Sequence, residues 1–380
     1  MPTKKKSTEK PKKRKRPDKP LEHNVLIKRR RVSAKGKSEN ISLPLLDVSM
    51  KGIKGTRIHQ EEGRLRVYGE VNVNGFDRRR RHEEIPVSRL TAKDIDRKLL
   101  RATIKGHLPA GVPTTFKPKR ARKTHTLRAE KGKDVDKGGT IFDTDNRYLF
   151  DDRSFPWRTT GKVRTSGQWG SGTTIGPRHV LTASHVINWT GGSGGGVSWV
   201  SFSPGYFDGN GPWGEIAATR VIYWLQAPGS LTDQQTAFDY VVLIMEDRIG
   251  EIVGYPGYRT YDDDWDGGNY WQSIGYPGEL SSGERPAFQG GGSISSVQNF
   301  SFSSQSGSVL GHFNDFTPGQ SGGPAWGWWS GEPWPRVVGV GSTIGSTAVQ
   351  SPTGSTIGDN EYGGGSALSA LISWARTNYP

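Results

Sequence analysis

The chain has 380 residues, of which 32% are hydrophobic and 52 are glycine, with a formal net charge of +15 at pH 7. It has no cysteine, which excludes disulfides, thiolate metal sites and a cysteine nucleophile. Charge and aromatics are split: residues 1–140 hold 40 Lys and Arg against 16 Asp and Glu (net +24), residues 141–380 hold 12 against 21 (net −9), and all 13 Trp lie at or after Trp157, so an aromatic core is expected in the second part only.

In chain order, residues 1–40 read as a disordered basic arm, Pro-punctuated and free of aromatics. Its clustered Lys and Arg could neutralise phosphates, so an acidic surface or a nucleic acid is an expected partner class. The run Lys12-Lys13-Arg14-Lys15-Arg16 has no apolar segment after it, so no secretory signal is visible. Residues 41–140 read as a pro-region or linker with room for a small folded unit. Within it, Leu65 to Val73 alternates like a strand and Thr91 to Ile104 is a helix candidate. The stretch Lys117-Pro118-Lys119-Arg120-Ala121-Arg122-Lys123 offers processing sites for enzymes that cut after basic residues. The composition break near Ile141 predicts that residues 1–140 can be removed from the folded remainder.

From residue 141 to 380, short runs rich in Val, Ile, Tyr and Trp alternate with Gly, Ser, Asp and Pro turns. Examples are Val197 to Phe202, Ala218 to Leu225, Tyr240 to Met245 and Arg336 to Val340. Many short strands with regular turn signals predict an all-β barrel or sandwich. Tyr240 to Met245 is the longest apolar run and too short to span a bilayer. Helical spacing of Leu368, Leu371, Ile372 and Trp374 predicts a single C-terminal helix over Ser366 to Thr377.

Three places carry chemistry. In Gly319-Gln320-Ser321-Gly322-Gly323-Pro324 the glycines allow a sharp turn that exposes a serine hydroxyl and aims the Gly319 and Ser321 amides at one point, an oxyanion hole. In Val180-Leu181-Thr182-Ala183-Ser184-His185 a strand runs into a small-residue turn that presents an imidazole base. Asp239, at the mouth of the most apolar strand, can orient that imidazole; Asp233 and Asp247 compete from more polar settings. His179 reads as a surface residue and His312 as a strand residue lining the pocket. Asp262, Asp264 and Asp266 have the alternate spacing of half a calcium loop, but Ser273 stands where the bidentate Glu belongs, so an acidic turn and no cofactor are expected, with Ca2+ at these three residues the alternative. The cluster Trp326, Trp328, Trp329 and Trp334 could bind peptide or sugar, with core packing the plainer alternative.

The order His185, Asp239, Ser321 is that of the chymotrypsin-like fold. Thr182-Ala183-Ser184-His185 and Gly319 to Pro324 resemble the two signature phrases of trypsin-like serine peptidases. Asp145-Asn146-Arg147 with Phe155-Pro156-Trp157-Arg158, Ile274-Gly275-Tyr276-Pro277-Gly278, and Asp315-Phe316-Thr317-Pro318-Gly319-Gln320-Ser321-Gly322 resemble the bacterial and fungal glutamyl endopeptidase branch. The resemblance covers about residues 141–380. It implies two six-stranded antiparallel β-barrels closed by a C-terminal helix, preceded by the basic, largely disordered region. It also implies a serine endopeptidase acting on proteins or peptides as a monomer, made as a zymogen, with His185, Asp239 and Ser321 as its triad. A secreted protein is favoured by the resemblance and a cytoplasmic one is the alternative.

The pocket is expected around Asp315, Thr317, Gly341, Ser342 and Thr343. Gln320 departs from the aspartate that trypsin carries before its nucleophile, and Gly341 follows the strand where glutamyl enzymes place a histidine. Counted back from Ser321, Asp315 falls where trypsin carries its lysine- and arginine-binding aspartate, so with no histidine near Gly341 cleavage after neutral or basic residues is expected over cleavage after Glu. The alternative function is a nucleic-acid- or surface-binding protein on a degenerate protease scaffold.

Overall fold

A computed structural model describes residues 18–28, 54–61, 64–70, 84–96, 103–122, 141–142, 144–190, 196–227, 231–350 and 356–380. Side chains are described over these residues except 54–61, 64–70, 344–350 and 356–358. Six strands form a closed barrel: Thr160–Thr165, Trp169–Gly176, His179–Thr182, Val200–Pro204, Ile216–Tyr223 and Val241–Met245, with the last pairing both the third and the fifth. Every residue of Val241–Met245 is buried, which explains why that strand is apolar at consecutive rather than alternate positions. The remaining core strands make a second, nine-stranded sheet that includes Trp271–Gly275, Ala287–Gly292, Gln305–His312, Pro324–Gly327, Arg336–Gln350 and Thr356–Gly364.

The sequence points to two six-stranded barrels; the chain has one closed six-stranded barrel and a larger second sheet. Two short strands are part of that larger sheet. Tyr148–Leu149 pairs with the edge at Ala287 and Phe288, and Gly257–Tyr258 runs parallel to Arg336 and Val337. The C-terminal helix Ser366–Asn378 forms as the spacing predicts. It is seated by the Trp224 indole N–H donating to the Ala367 carbonyl at 2.9 Å, with Leu368, Leu371 and Ile372 fully buried.

The region before residue 141 departs most from its composition. Residues 18–28, within the arm read as disordered, lie on the second sheet. Leu21 N–H donates to Trp328 O at 2.7 Å, His23 N–H to Asn269 O at 2.9 Å, and the Trp329 indole to Asp18 O at 3.1 Å. Leu26 has no exposed surface. The rest of residues 1–40 lies outside the described residues.

Farther on, Val87–Arg89 adds a parallel seventh strand beside Val221–Tyr223. Thr91 and Asp94 form a capping box around the 3-10 turn Ala92–Asp94, and Ile95 is already extended. Ile104 bridges Tyr258 instead of ending a helix, so the helix expected over Thr91 to Ile104 forms at neither described end. Residues 113–121 interleave with 149–155 through backbone bonds, and the Trp157 indole donates to Thr115 Oγ1 at 2.6 Å. A few apolar anchors such as Leu26, Leu90 and Ile104 suffice to seat a polar chain on a preformed surface, and composition averaged over 140 residues hides them. Among the described residues no helix is long and apolar enough to cross a membrane.

Candidate active site

The strand His179–Thr182 delivers the chain through extended Ala183 into the 3-10 turn Ser184–Val186, which carries His185. Ser184 Oγ donates to Leu225 O at 2.9 Å and its carbonyl accepts the Trp189 indole at 2.8 Å, so the turn is fixed from both sides. Antiparallel pairing sets Thr182 opposite Val241. Two residues beyond each, the chains leave the sheet, and Asp239 comes to face the His185 turn.

The Asp239 carboxylate is fully buried and engaged on both oxygens. Oδ1 accepts the His185 backbone N–H at 2.9 Å, Oδ2 lies 2.6 Å from His185 Nδ1, and Ser342 Oγ donates to Oδ2 at 2.5 Å. The His185 side chain keeps 22% exposure. Burial alone would lower its pKa, but the charge of Asp239 and the hydrogen bond to it prevail and hold the imidazole above its ordinary value. Asp233 sits in the first turn of the helix Asp233–Ala237, six residues before Asp239 in the chain.

Ser321 is half-buried on a turn whose glycines adopt conformations that L side chains avoid: φ is +96 at Gly319 and +83 at Gly322. A Cβ on Gly322 would collide with Ser171 O, Thr182 Oγ1 and Ala183 N, so the nucleophile turn packs directly against the chain that feeds His185. Ser171 stitches the two together. Its N–H donates to Ser321 O at 2.7 Å, its Oγ to Gly319 O at 2.7 Å, and its carbonyl accepts Thr182 Oγ1 at 2.7 Å. Gly322 N–H donates to Gly341 O at 2.8 Å, and Gly341 is followed by Ser342, the residue bonded to Asp239. Gln320, Gly322 and Gly323 amides are spent on carbonyls within this turn and at Gly341. The Gly319 and Ser321 amides donate no hydrogen bond among the described residues, so both can serve a ligand oxygen.

The residues read as pocket-forming have these surroundings. Asp315, 1% exposed, accepts Phe142 N–H and Asn146 N–H at 2.9 Å each and Gln289 Nε2 at 3.1 Å, so its carboxylate ties down the 142–146 segment and is not a free anionic floor. Burial nonetheless raises its pKa, against those backbone bonds. Thr317 donates to Glu279 at 2.6 Å and is 3% exposed. Ser342 belongs to the Asp239 side. Gly341 lies on the Phe316 ring, which would meet any added Cβ. Thr343 is half-buried.

His179 is fully buried, not superficial, and burial lowers its pKa to about 4. His312 is also buried, its ring stacked at 3.7 Å on Tyr362, with a pKa pushed down by burial to about 3. Of the acidic turn, Asp262, Asp263 and Asp264 bring exposed carboxylates together, while Asp266 Oδ1 accepts the Tyr261 hydroxyl at 2.8 Å and stands apart. The spacing Asp262, Asp264, Asp266 therefore does not describe the cluster that forms. Trp326 and Trp328 are core residues sharing the Gln272 carbonyl oxygen at 2.9 and 3.2 Å.

Sequence reasoning missed the roles of Ser171, Ser342 and Arg147. Arg147 is buried with its guanidinium on Asp145, Glu279, Thr317 and Gln320. Burial acts to lower its pKa, and the Asp145 and Glu279 carboxylates outweigh this and raise it.

No protein-family profile matches the chain. It is 29% identical over 171 residues to a glutamyl endopeptidase of Bacillus licheniformis, covering 45% of this chain and 49% of that protein, so it spans about half the length of this curated relative. Among solved structures, a Glu endopeptidase in complex with MPD matches with a TM-score of 0.48 and 22% identity, over 63% of this chain and all of the other. The protease Anisep from Arthrobacter nicotinovorans matches with a TM-score of 0.40 and 20% identity, over 60% of this chain and 99% of the other. With its closed barrel, second sheet, C-terminal helix and residue order, the chain is similar to the chymotrypsin-fold serine peptidases, glutamyl endopeptidases among them.

Proposed function

We propose that the chain is a serine endopeptidase that hydrolyses protein or peptide substrates through an acyl-enzyme. Ser321 Oγ attacks the scissile carbonyl carbon while His185 Nε2 takes its proton, and the tetrahedral oxyanion is received by the Gly319 and Ser321 amides. His185 then gives the proton to the departing amine. Water, deprotonated by the same nitrogen, releases the acid and restores Ser321. Asp239 keeps His185 in one tautomer and stabilises its imidazolium. The observation that carries this reading is the buried Asp239 carboxylate bonded at once to His185 Nδ1, the His185 amide and Ser342 Oγ, which leaves Nε2 as the nitrogen for the serine.

The relative's name does not extend to the side chain recognised here. The engagement of Asp315 by three N–H groups argues against recognition of Lys or Arg. The absence of a histidine in Gly341-Ser342-Thr343 and the Phe316 ring beneath Gly341 argue against Glu. Uncharged residues before the cut bond fit these walls best, and strict cleavage after Glu in a peptide-library digest would contradict that preference. The activity itself is tested with Ser321→Ala. Loss of such a nucleophile costs on the order of a millionfold in turnover, and a folded variant that cleaves like the native chain would refute the assignment.

A further inference from the structure

We propose that Arg147 is a positioning residue that holds the oxyanion turn in shape from within the chain, so that the turn needs no freed terminal amine to form. The proposal rests on the peptidase reading above and adds a residue to it. A guanidinium has five N–H donors in a rigid planar fork, and in Arg147 all five are used. Nε donates to Asp145 Oδ1 at 3.0 Å and Nη2 to Asp145 Oδ2 at 2.8 Å. The other Nη2 hydrogen goes to Glu279 Oε1 at 2.5 Å. Nη1 donates to Thr317 Oγ1 at 2.8 Å and to the Gln320 side-chain oxygen.

These last two partners belong to the turn that ends in Ser321. The Gln320 oxygen also accepts Thr317 N–H at 3.1 Å, and Glu279, beside Gly278, accepts Thr317 Oγ1 at 2.6 Å. Gly278 N–H in turn donates to Pro318 O at 2.9 Å. Residues 317, 318 and 320 are thus clamped from one side, which leaves Gly319 to take its φ of +96 with its amide unspent. The clamp comes from the Arg147 side chain, with Asp315 pinning the Phe142 and Asn146 amides before it in the chain. Gln320 is neutral, so it could not hold a terminal ammonium as an ion pair, whereas its amide oxygen suits a guanidinium donor. Lysine, with one ammonium on a flexible stem, cannot reach two acceptors on the turn while satisfying two carboxylates.

The test uses the full chain, with Arg147→Ala and Arg147→Lys compared with the native protein by peptide hydrolysis and by the rate of phosphonylation at Ser321 with a peptidyl phosphonate. Loss of one oxyanion donor costs about 10²–10³ in turnover. Both variants are expected to lose kcat on that order with KM changed only a few-fold, and to be phosphonylated more slowly by a similar factor. Methylguanidine should restore part of the rate lost in Arg147→Ala and leave the native rate unchanged. A merely structural arginine would shift the melting temperature without this split between kcat and KM. If Arg147→Ala does not fold, Arg147→Lys carries the same readouts. Native phosphonylation with equal rates in a folded variant would overturn the role of Arg147 alone. Absence of native phosphonylation would overturn the peptidase reading and this inference with it.

Discussion

At the scale of single residues, the proposed site is a set of short local phrases joined by contacts no phrase reveals. Ser321, His185 and Asp239 stand out in the sequence because a nucleophile turn, a base mount and a strand-mouth acid each need particular neighbours within a few positions. Ser342 reaches Asp239 across 103 residues and Arg147 reaches Gln320 across 173, so neither signal is local. Asp315 illustrates the reverse: its place six residues before Ser321 suggests a pocket, but the 142–146 backbone claims its carboxylate first. Two predictions belong here. Asp239→Asn should fold and lose about 10⁴ in kcat through the wrong His185 tautomer; kcat within tenfold of native would contradict the role of Asp239. His185 must be neutral to act as a base, and its pKa is raised, Asp239 outweighing burial. Activity should therefore fall as pH drops through a value above the ordinary imidazole 6.5, read from the acid limb of kcat/KM. An acid limb below that ordinary value would contradict it.

At the scale of elements, strands and the C-terminal helix were legible because their apolar periodicity is strong. The segments before residue 141 were not, because each is held by one or two anchors and by backbone bonds that composition does not encode. Leu26 is such an anchor, with no exposed surface in the six-residue helix His23–Lys28. Leu26→Ala should lower stability by about 2–5 kcal/mol if its cavity does not collapse; an unchanged denaturation midpoint would show that the helix does not stay docked. The strand Thr356–Gly364 carries a different liability. Burial first, and the charges of Asp359 and Asp233 after it, raise the Glu361 carboxyl to about 8. An acid whose folded pKa is raised binds its proton more tightly in the native state, so its contribution to stability is full below about 4.5 and is lost as pH rises through about 8. Glu361→Gln should flatten this slope, and an identical pH dependence of unfolding in the variant would contradict the shift.

At the scale of the molecule, the fold class was readable because strand number, turn spacing and residue order agree. The sharp compositional border at residue 141 was misleading as a structural border. Val87–Arg89 extends the first barrel's sheet, Ile104 and His107 bridge Tyr258 and Tyr255, residues 113–121 interleave with 149–155, and residues 18–28 lie on the second sheet. Removal of residues 1–122 should therefore cost cooperative folding, whereas a nick among the basic residues between 123 and 140 should leave both pieces together on a native gel. A stable, active fragment beginning near residue 141 would contradict this. The central claim, that Ser321 is a nucleophile activated by His185 and Asp239, is tested most directly by mass spectrometry of the full chain after treatment with a peptidyl phosphonate. The account predicts one adduct per chain, on Ser321, absent in Ser321→Ala and strongly slowed in Asp239→Asn. No adduct on the folded native chain, or one on another residue, would contradict it.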